Sequence, residues 1–397
     1  MPNISLTSIN LALEKKIDGT DSSSNLTDIL RLATSADDFT SSVFYIDSSY
    51  LPTDSAFIGT LARDSDGTVY AYDGSSWTRP DQNGSLYVAP PPHYQGENYG
   101  YATAGQNPSG IPQGANIIEK YSYTSDGNAT DVGDLTTTTR STSGMSSSTH
   151  GYTSIGFPQS SDDINKFAFA SDGNASNIAT TFSRTYLGAG HSSETNGYAS
   201  GGTSPIGPNT NEIKRFPFSA EATTVDVGDL TVGRSETTGT MSTNHGYHVG
   251  GNGPSNVIDK FAFATDGNAT DVGDMTEGRT GAAASASTTH GYASCGDNYP
   301  AGARARNTID KFAFASDGNA TDVGDAYHAR SFLGGGTSST SSGYAAGGRG
   351  STSTLGNTPS ISNYLDTIDK VSFASDGNGT DVGNLTVGRR ELTGQQY

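Results

Sequence analysis

Sulfur, tryptophan and positive charge are scarce in this 397-residue chain. A single cysteine, Cys295, rules out an intrachain disulfide. Lys and Arg number 22 against 41 Asp and Glu, and the resulting net charge of -19 disfavours a nucleic-acid partner, whose phosphates it would repel. No apolar run is long enough for a membrane-spanning helix, so membrane insertion is not expected. The opening stretch MPNISLTSINLALEKK lacks the basic start and apolar centre of a secretory signal, which leads to an expectation of synthesis in a cytoplasm. Hydrophobic content is only 32%, a value compatible with disorder, yet the apolar residues recur at fixed places.

What the chain has in quantity is glycine, 51 residues, and a repeat that uses it. The stretch Ile258–Arg279, IDKFAFATDGNATDVGDMTEGR, recurs with drift from Ile118, Ile164, Ile213, Ile309 and Ile368. Gly-Tyr followed by small residues recurs at Tyr101, Tyr152, Tyr198, Tyr247, Tyr292 and Tyr344. The two phrases alternate, so the unit is one repeat of roughly 45–55 residues, a period typical of solenoids, propellers and arrays. Each unit reads as four strands. In the copy beginning at Ser235 they are SETTGTMSTN (a), YHVGG ending on two glycines (b), VIDKFAFA (c), then a tight Asp-Gly-Asn turn, then DVGDMT (d). In strand c, Phe261 and Phe263 share one face and Ala262 and Ala264 the other. A sheet with large residues on one side and small ones on the other suits a blade packed between two neighbours.

The order Arg, small-residue strand, Gly-Tyr-x-x-Gly-Gly, Ile-Asp-Lys-Phe, turn, Asp-Leu-Thr-x-Gly-Arg resembles the kelch repeat over about Tyr99–Tyr397. The resemblance implies four-stranded blades with a diglycine after the second strand. Kelch blades usually carry Trp in strand d, where this chain has Val with Leu or Met. The ends of the repeat are out of step. The first copy starts at strand b, Tyr101, and the last runs on through Arg389–Gly394, matching Arg234–Gly239 of strand a. The C-terminal strand therefore completes the first blade, and closure leaves no unpaired edge. The expected fold is all-β: a six-bladed kelch-like β-propeller over 96–397, closed by the C-terminal strand.

Residues 1–55 do not repeat; 9–17 and 25–33 read as short helices, in a segment expected to attach and to oligomerise the chain. Residues 56–95 read as a small β module, with strands Phe57–Leu61 and Val69–Tyr72 across Asp66-Gly67, followed by the stiff linker APPPH. Its Asp-Gly…Tyr…Gly…Trp phrase resembles modules near the N-termini of phage tail fibres. The wording Phe-Ala-Ser-Asp-Gly-Asn-Ala-Thr-Asp-Val-Gly-Asp is similar to repeats of marine phage, including cyanophage, structural proteins. The resemblance implies a virion component with other virion proteins as partners and a homo-oligomeric state.

Strand alternation puts the a–b and c–d turns on one face of the ring and the b–c and d–a connections on the other. The c–d turns are nearly constant; the b–c connections vary, and loops on a rigid scaffold are where recognition usually resides. Tyr299, Arg304 and Arg306 in one long connection and Tyr364 in another are the candidate ligand-binding residues, Tyr and Arg being common at hot spots. The oxygens of Asp266, Asn268 and Asp271 could hold calcium, but the same residues serve a hairpin turn, which is the preferred reading; no other cofactor is expected. Lysines or arginines recurring in strand c and after strand d are read as paired within or between blades. No acid/base constellation is visible, so a non-enzyme is expected. The functional expectation is a tail fibre or receptor-binding virion protein contacting a host-surface glycan or protein. The alternative is a neck, collar or capsid-decoration protein.

Overall fold

The computed structural model describes residues 95–397 except 109–113, 155, 159–162, 180–185, 205–206, 221–223, 299–304, 332–335 and 351–362. Before residue 95 it describes the strands Phe44–Tyr45, Leu61–Arg63, Val69–Tyr72 and Trp77–Thr78. The chain divides into two compact units, Met1–Pro90 and Pro91–Tyr397. In the first, Leu61–Arg63 pairs antiparallel with Val69–Tyr72, which pairs in turn with Trp77–Thr78. The helices expected over 9–17 and 25–33 lie outside the described residues.

The second unit is a six-bladed β-propeller. Its blades span 144–179, 189–229, 238–274, 283–331 and 336–384 (blades 2 to 6), while blade 1 joins 99–139 to the C-terminal strand. Thr393–Gln396 pairs antiparallel with Tyr99–Thr103, setting Gln395 opposite Tyr101. That is the closure read from the displaced ends of the repeat.

The period-2 pattern explains how one strand serves two neighbours. In Val257–Ala262 of blade 4, Asp259 and Phe261 look toward blade 3, where they meet Arg234 and Tyr198. Ile258 and Lys260 look toward blade 5, where Ile258 shares a core with Ala293 and Lys260 meets Asp317. Because both faces are covered, Ile258 and Asp259 are adjacent in sequence and both fully buried. Each strand-b tyrosine lies on an aromatic of the next blade. Tyr152 on Phe218 at 4.7 Å, Tyr198 on Phe263 at 4.9 Å and Tyr247 on Phe314 at 4.9 Å are three such pairs. Tyr344 on Tyr123 at 4.6 Å is another, and it carries the pattern across the junction of blades 6 and 1.

Strand a is shorter than its small-residue stretch suggests. In blade 4 it covers Thr238–Met241, because Glu236 turns the chain with φ near 54°. Six such strands surround the axis closely. A Cβ on Gly190 would sit 2.1 Å from the Gly144 carbonyl oxygen, and one on Gly336 would sit 2.0 Å from that of Ala284, so glycine is required there. The axial cavity is about 80 Å³, lined mainly by Ser, Thr, Gly and Ala.

Candidate functional site

The two faces of the ring are built differently. On the face of the c–d turns the same contacts recur from blade to blade. Lys120 meets Asp172 at 2.7 Å, Arg215 meets Asp266 at 2.6 Å, Lys311 meets Asp376 at 2.8 Å and Lys370 meets Asp126 at 3.0 Å. Asn174, Asn268, Asn319, Asn378 and Asn128 each accept the backbone N–H of strand d in the preceding blade at 3.0–3.1 Å. The calcium candidates fall in this belt. Asp266 Oδ1 accepts from Arg215, Asn268 Oδ1 from the Asp229 N–H, and Asp271 Oδ1 from the Gly273 N–H. Three oxygens serving three separate donors make the turn and its inter-blade seam. No cluster of three or more His, Cys, Asp or Glu suited to a metal occurs among the described residues.

Beneath the opposite face lies a second, buried set of pairs. The Arg after strand d reaches the acid of Ile-Asp-Lys in the next blade: Arg234 to Asp259 at 3.0 Å and Arg330 to Asp369 at 2.7 Å, with Arg279–Asp310 and Arg389–Glu119 alike. Thr231 and Thr276 add hydroxyl donors to Asp259 and Asp310 at 2.7 Å. The Asp-Leu-Thr-x-Gly-Arg phrase is therefore a latch onto the following blade. The recurring cations are paired between blades, but the arginine's partner is the strand-c acid.

The strand-c acid is absent from two blades: Lys214 stands in its place in blade 3 and pairs with Glu212 at 2.8 Å, and Asn165 stands in its place in blade 2, where charged side chains collect. In blade 2 the acid is replaced by Asn165, whose side-chain oxygen accepts from Thr136 but leaves Arg140 without a carboxylate below. Arg140 turns instead to the rim of the b–c and d–a face, meeting Glu391 Oε2 at 2.7 Å and lying over the Phe157 ring at 4.7 Å. The last copy of the repeat adds a second arginine, Arg390. Its Nε and Nη2 donate to Gln106 Oε1 at 2.9 and 2.7 Å, and Arg140 Nη1 reaches the same oxygen at 3.4 Å.

The long b–c connection of blade 6 brings the remaining members. Its ends form a small hairpin, Arg349–Gly350 against Asn363–Tyr364, that extends the blade 5 sheet by pairing Gly350 with Arg330. Tyr364 thereby sits under the Arg390 guanidinium at 5.6 Å and donates to Gln106 at 3.4 Å. Arg349 lies directly across the hairpin from Tyr364. Its guanidinium is pushed down from its ordinary value by burial and then by Arg390, while Tyr364, Asp297 and Glu391 work in the other direction. Around the same mouth the Glu236 carboxyl is pushed up, by burial first and also by the charges of Glu391 and Asp297, against a hydrogen bond with Thr280. A carboxyl of this kind keeps its proton to higher pH and can donate to a ligand, and such perturbed groups gather at functional sites.

Of the four residues singled out from the sequence, Tyr364 belongs to this cluster. Arg306 stands in a strand and pairs with Glu277 at 2.7 Å. Tyr299 and Arg304 lie outside the described residues. Gln106, Arg140, Arg349, Arg390 and Glu391 were not singled out. Asn165 in the acid's place and the doubled Arg389-Arg390 are the departures from the repeat that mark them.

The sequence matches no protein-family model and no curated protein. Among solved structures, one titled "Structure of YjhT" superposes with a TM-score of 0.52 at 14% identity, over 64% of this chain and 86% of that one. At that identity the likeness is one of fold.

Proposed function

We propose that the chain is a recognition module, a propeller that holds a ligand at the rim formed by its b–c and d–a connections. The observation that carries this reading is the contrast between the faces. One repeats a single set of contacts between blades, whereas the other breaks the repeat at Asn165, Lys214, Arg390 and the blade 6 hairpin and gathers Arg140, Arg390 and Tyr364 at one place. The first described residues of the ring lie on the repeating face. Gln95 Nε2 donates to the Ala286 carbonyl at 3.0 Å and the Gly96 N–H to that of Ser338 at 2.7 Å, both at the a–b ends of inner strands. The rim lies on the face opposite Gln95 and Gly96. Joined to the likeness of the repeat to phage structural proteins, this supports a virion protein of the tail fibre or receptor-binding kind. Purified full-length protein added to host cells ahead of the particle is expected to reduce adsorption. Unchanged adsorption, with antibody labelling confined to the head of the particle, overturns this reading.

A further inference from the structure

The cluster at the rim is unusual in its charge. In a chain of net charge -19, three guanidiniums gather near Glu391: Arg140 and Arg390 pair with it, and Arg349 feels Arg390, Glu391 and the nearby Asp297. Arg140 and Arg390 both direct N–H groups to one neutral oxygen, Gln106 Oε1, which also receives the Tyr364 hydroxyl. A neutral amide oxygen is a weaker partner for a guanidinium than an anion, which adds the attraction of opposite charges to the hydrogen bond. The Arg140 Nε is buried and has no hydrogen-bond partner among the described residues. The arginines remain within reach of solvent, Arg140 with 19% and Arg390 with 18% of the side chain exposed. Beside them the half-buried rings of Tyr364 and Phe157 already carry guanidiniums and offer flat apolar walls.

We propose that this rim binds a carboxylated or sulfated saccharide, its anionic group displacing the Gln106 oxygen between Arg140, Arg349 and Arg390 and its ring resting against Tyr364. The assignment rests on the recognition reading and gives it a ligand class. An anion alone would need only the arginines. The aromatic walls favour a ring with an apolar face and polar edges, as a sugar has.

The test uses the full-length protein and four probes: an oligogalacturonate, a sulfated dextran oligomer, a neutral dextran oligomer and polyglutamate. Calorimetry or a surface binding assay is expected to show salt-sensitive binding of at least one of the acidic oligosaccharides and none of the neutral one. Arg390→Gln is expected to weaken that binding by about 10- to 100-fold. Lys311→Gln, the same charge change on the far face, is expected to leave it unaltered. Equal binding of the neutral oligomer, binding of polyglutamate in preference to the saccharides, an equal loss in both variants, or no binding of either acidic saccharide overturns the assignment. Circular dichroism of Arg390→Gln confirms that it is folded, and Arg349→Gln provides a second variant should it not be. Cell adsorption separates the two readings: if Arg390→Gln still blocks adsorption as the wild type does, the saccharide assignment falls and the recognition reading stands.

Discussion

Asp310 and Arg279, both fully buried, show what a single residue contributes to this ring. Removing one member of a buried ion pair strands the other charge, whereas replacing both with apolar groups is often near neutral. Asp310→Leu is expected to lower unfolding free energy by about 3–5 kcal/mol, and the double variant Asp310→Leu/Arg279→Met to recover most of it, as read by denaturant melts. The chain itself contains the milder experiment: with Asn at 165, Arg140 has moved to the surface. The Arg and Asp were legible in the sequence as repeating charges, and pairing between blades was expected. Which acid each arginine would choose was not, because only strand parity in three dimensions turns the Ile-Asp-Lys acid toward the preceding blade. The site was hidden for the same reason. A residue such as Asn165 counts as a defect only after the partner it fails to supply is known.

At the scale of elements, strands of neighbouring blades are joined through buried polar bridges as well as aromatic pairs. Between blades 3 and 4, Ser200 Oγ lies 2.8 Å from both His191 Nε2 and His248 Nδ1. Burial pushes His191 down to about 4 and His248 well below its ordinary value. For His191 the sign follows directly. Above pH 6.5 neither state binds the proton and nothing is lost. As pH falls from 6.5 toward 4 the unfolded chain takes up a proton that the folded ring refuses, so stability decreases by about 1.4 kcal/mol per pH unit. His248 adds a loss of the same sign. Melts between pH 7 and 4 are expected to show this loss, and His191→Gln to reduce its slope. The four-strand unit itself was visible in the turn chemistry, and Phe261 with Phe263 on one face correctly indicated a sheet packed on both sides. The closeness of the inner strands was not visible, since Gly190 and Gly336 read as flexible residues until a neighbour's carbonyl is found where a side chain would go.

For the molecule as a whole, closure depends on Thr393–Gln396, which supplies the inner strand of blade 1. Its Gln395 Nε2 also donates to Thr153 Oγ1 at 3.0 Å and to the Tyr152 carbonyl at 3.1 Å, and Ser338 N–H reaches Gln396 at 3.3 Å, so one strand ties blade 1 to both neighbours. Deleting 391–397 exposes the edge of Tyr99–Thr103 and is expected to shift the protein to aggregates on size exclusion, with a broadened, lowered melting transition. A synthetic peptide of those residues added in trans is expected to restore part of the loss. This arithmetic of displaced ends was the most legible property of the sequence, because a missing first strand and a surplus last one are countable without coordinates.

The crowding of the inner strands has a last consequence. The axial cavity is small, and its lining runs from Glu236 and Glu391 at the rim to the inner-strand glycines Gly190 and Gly336. The proposed saccharide would enter from the rim, and its dwell time would depend on the connections that frame it.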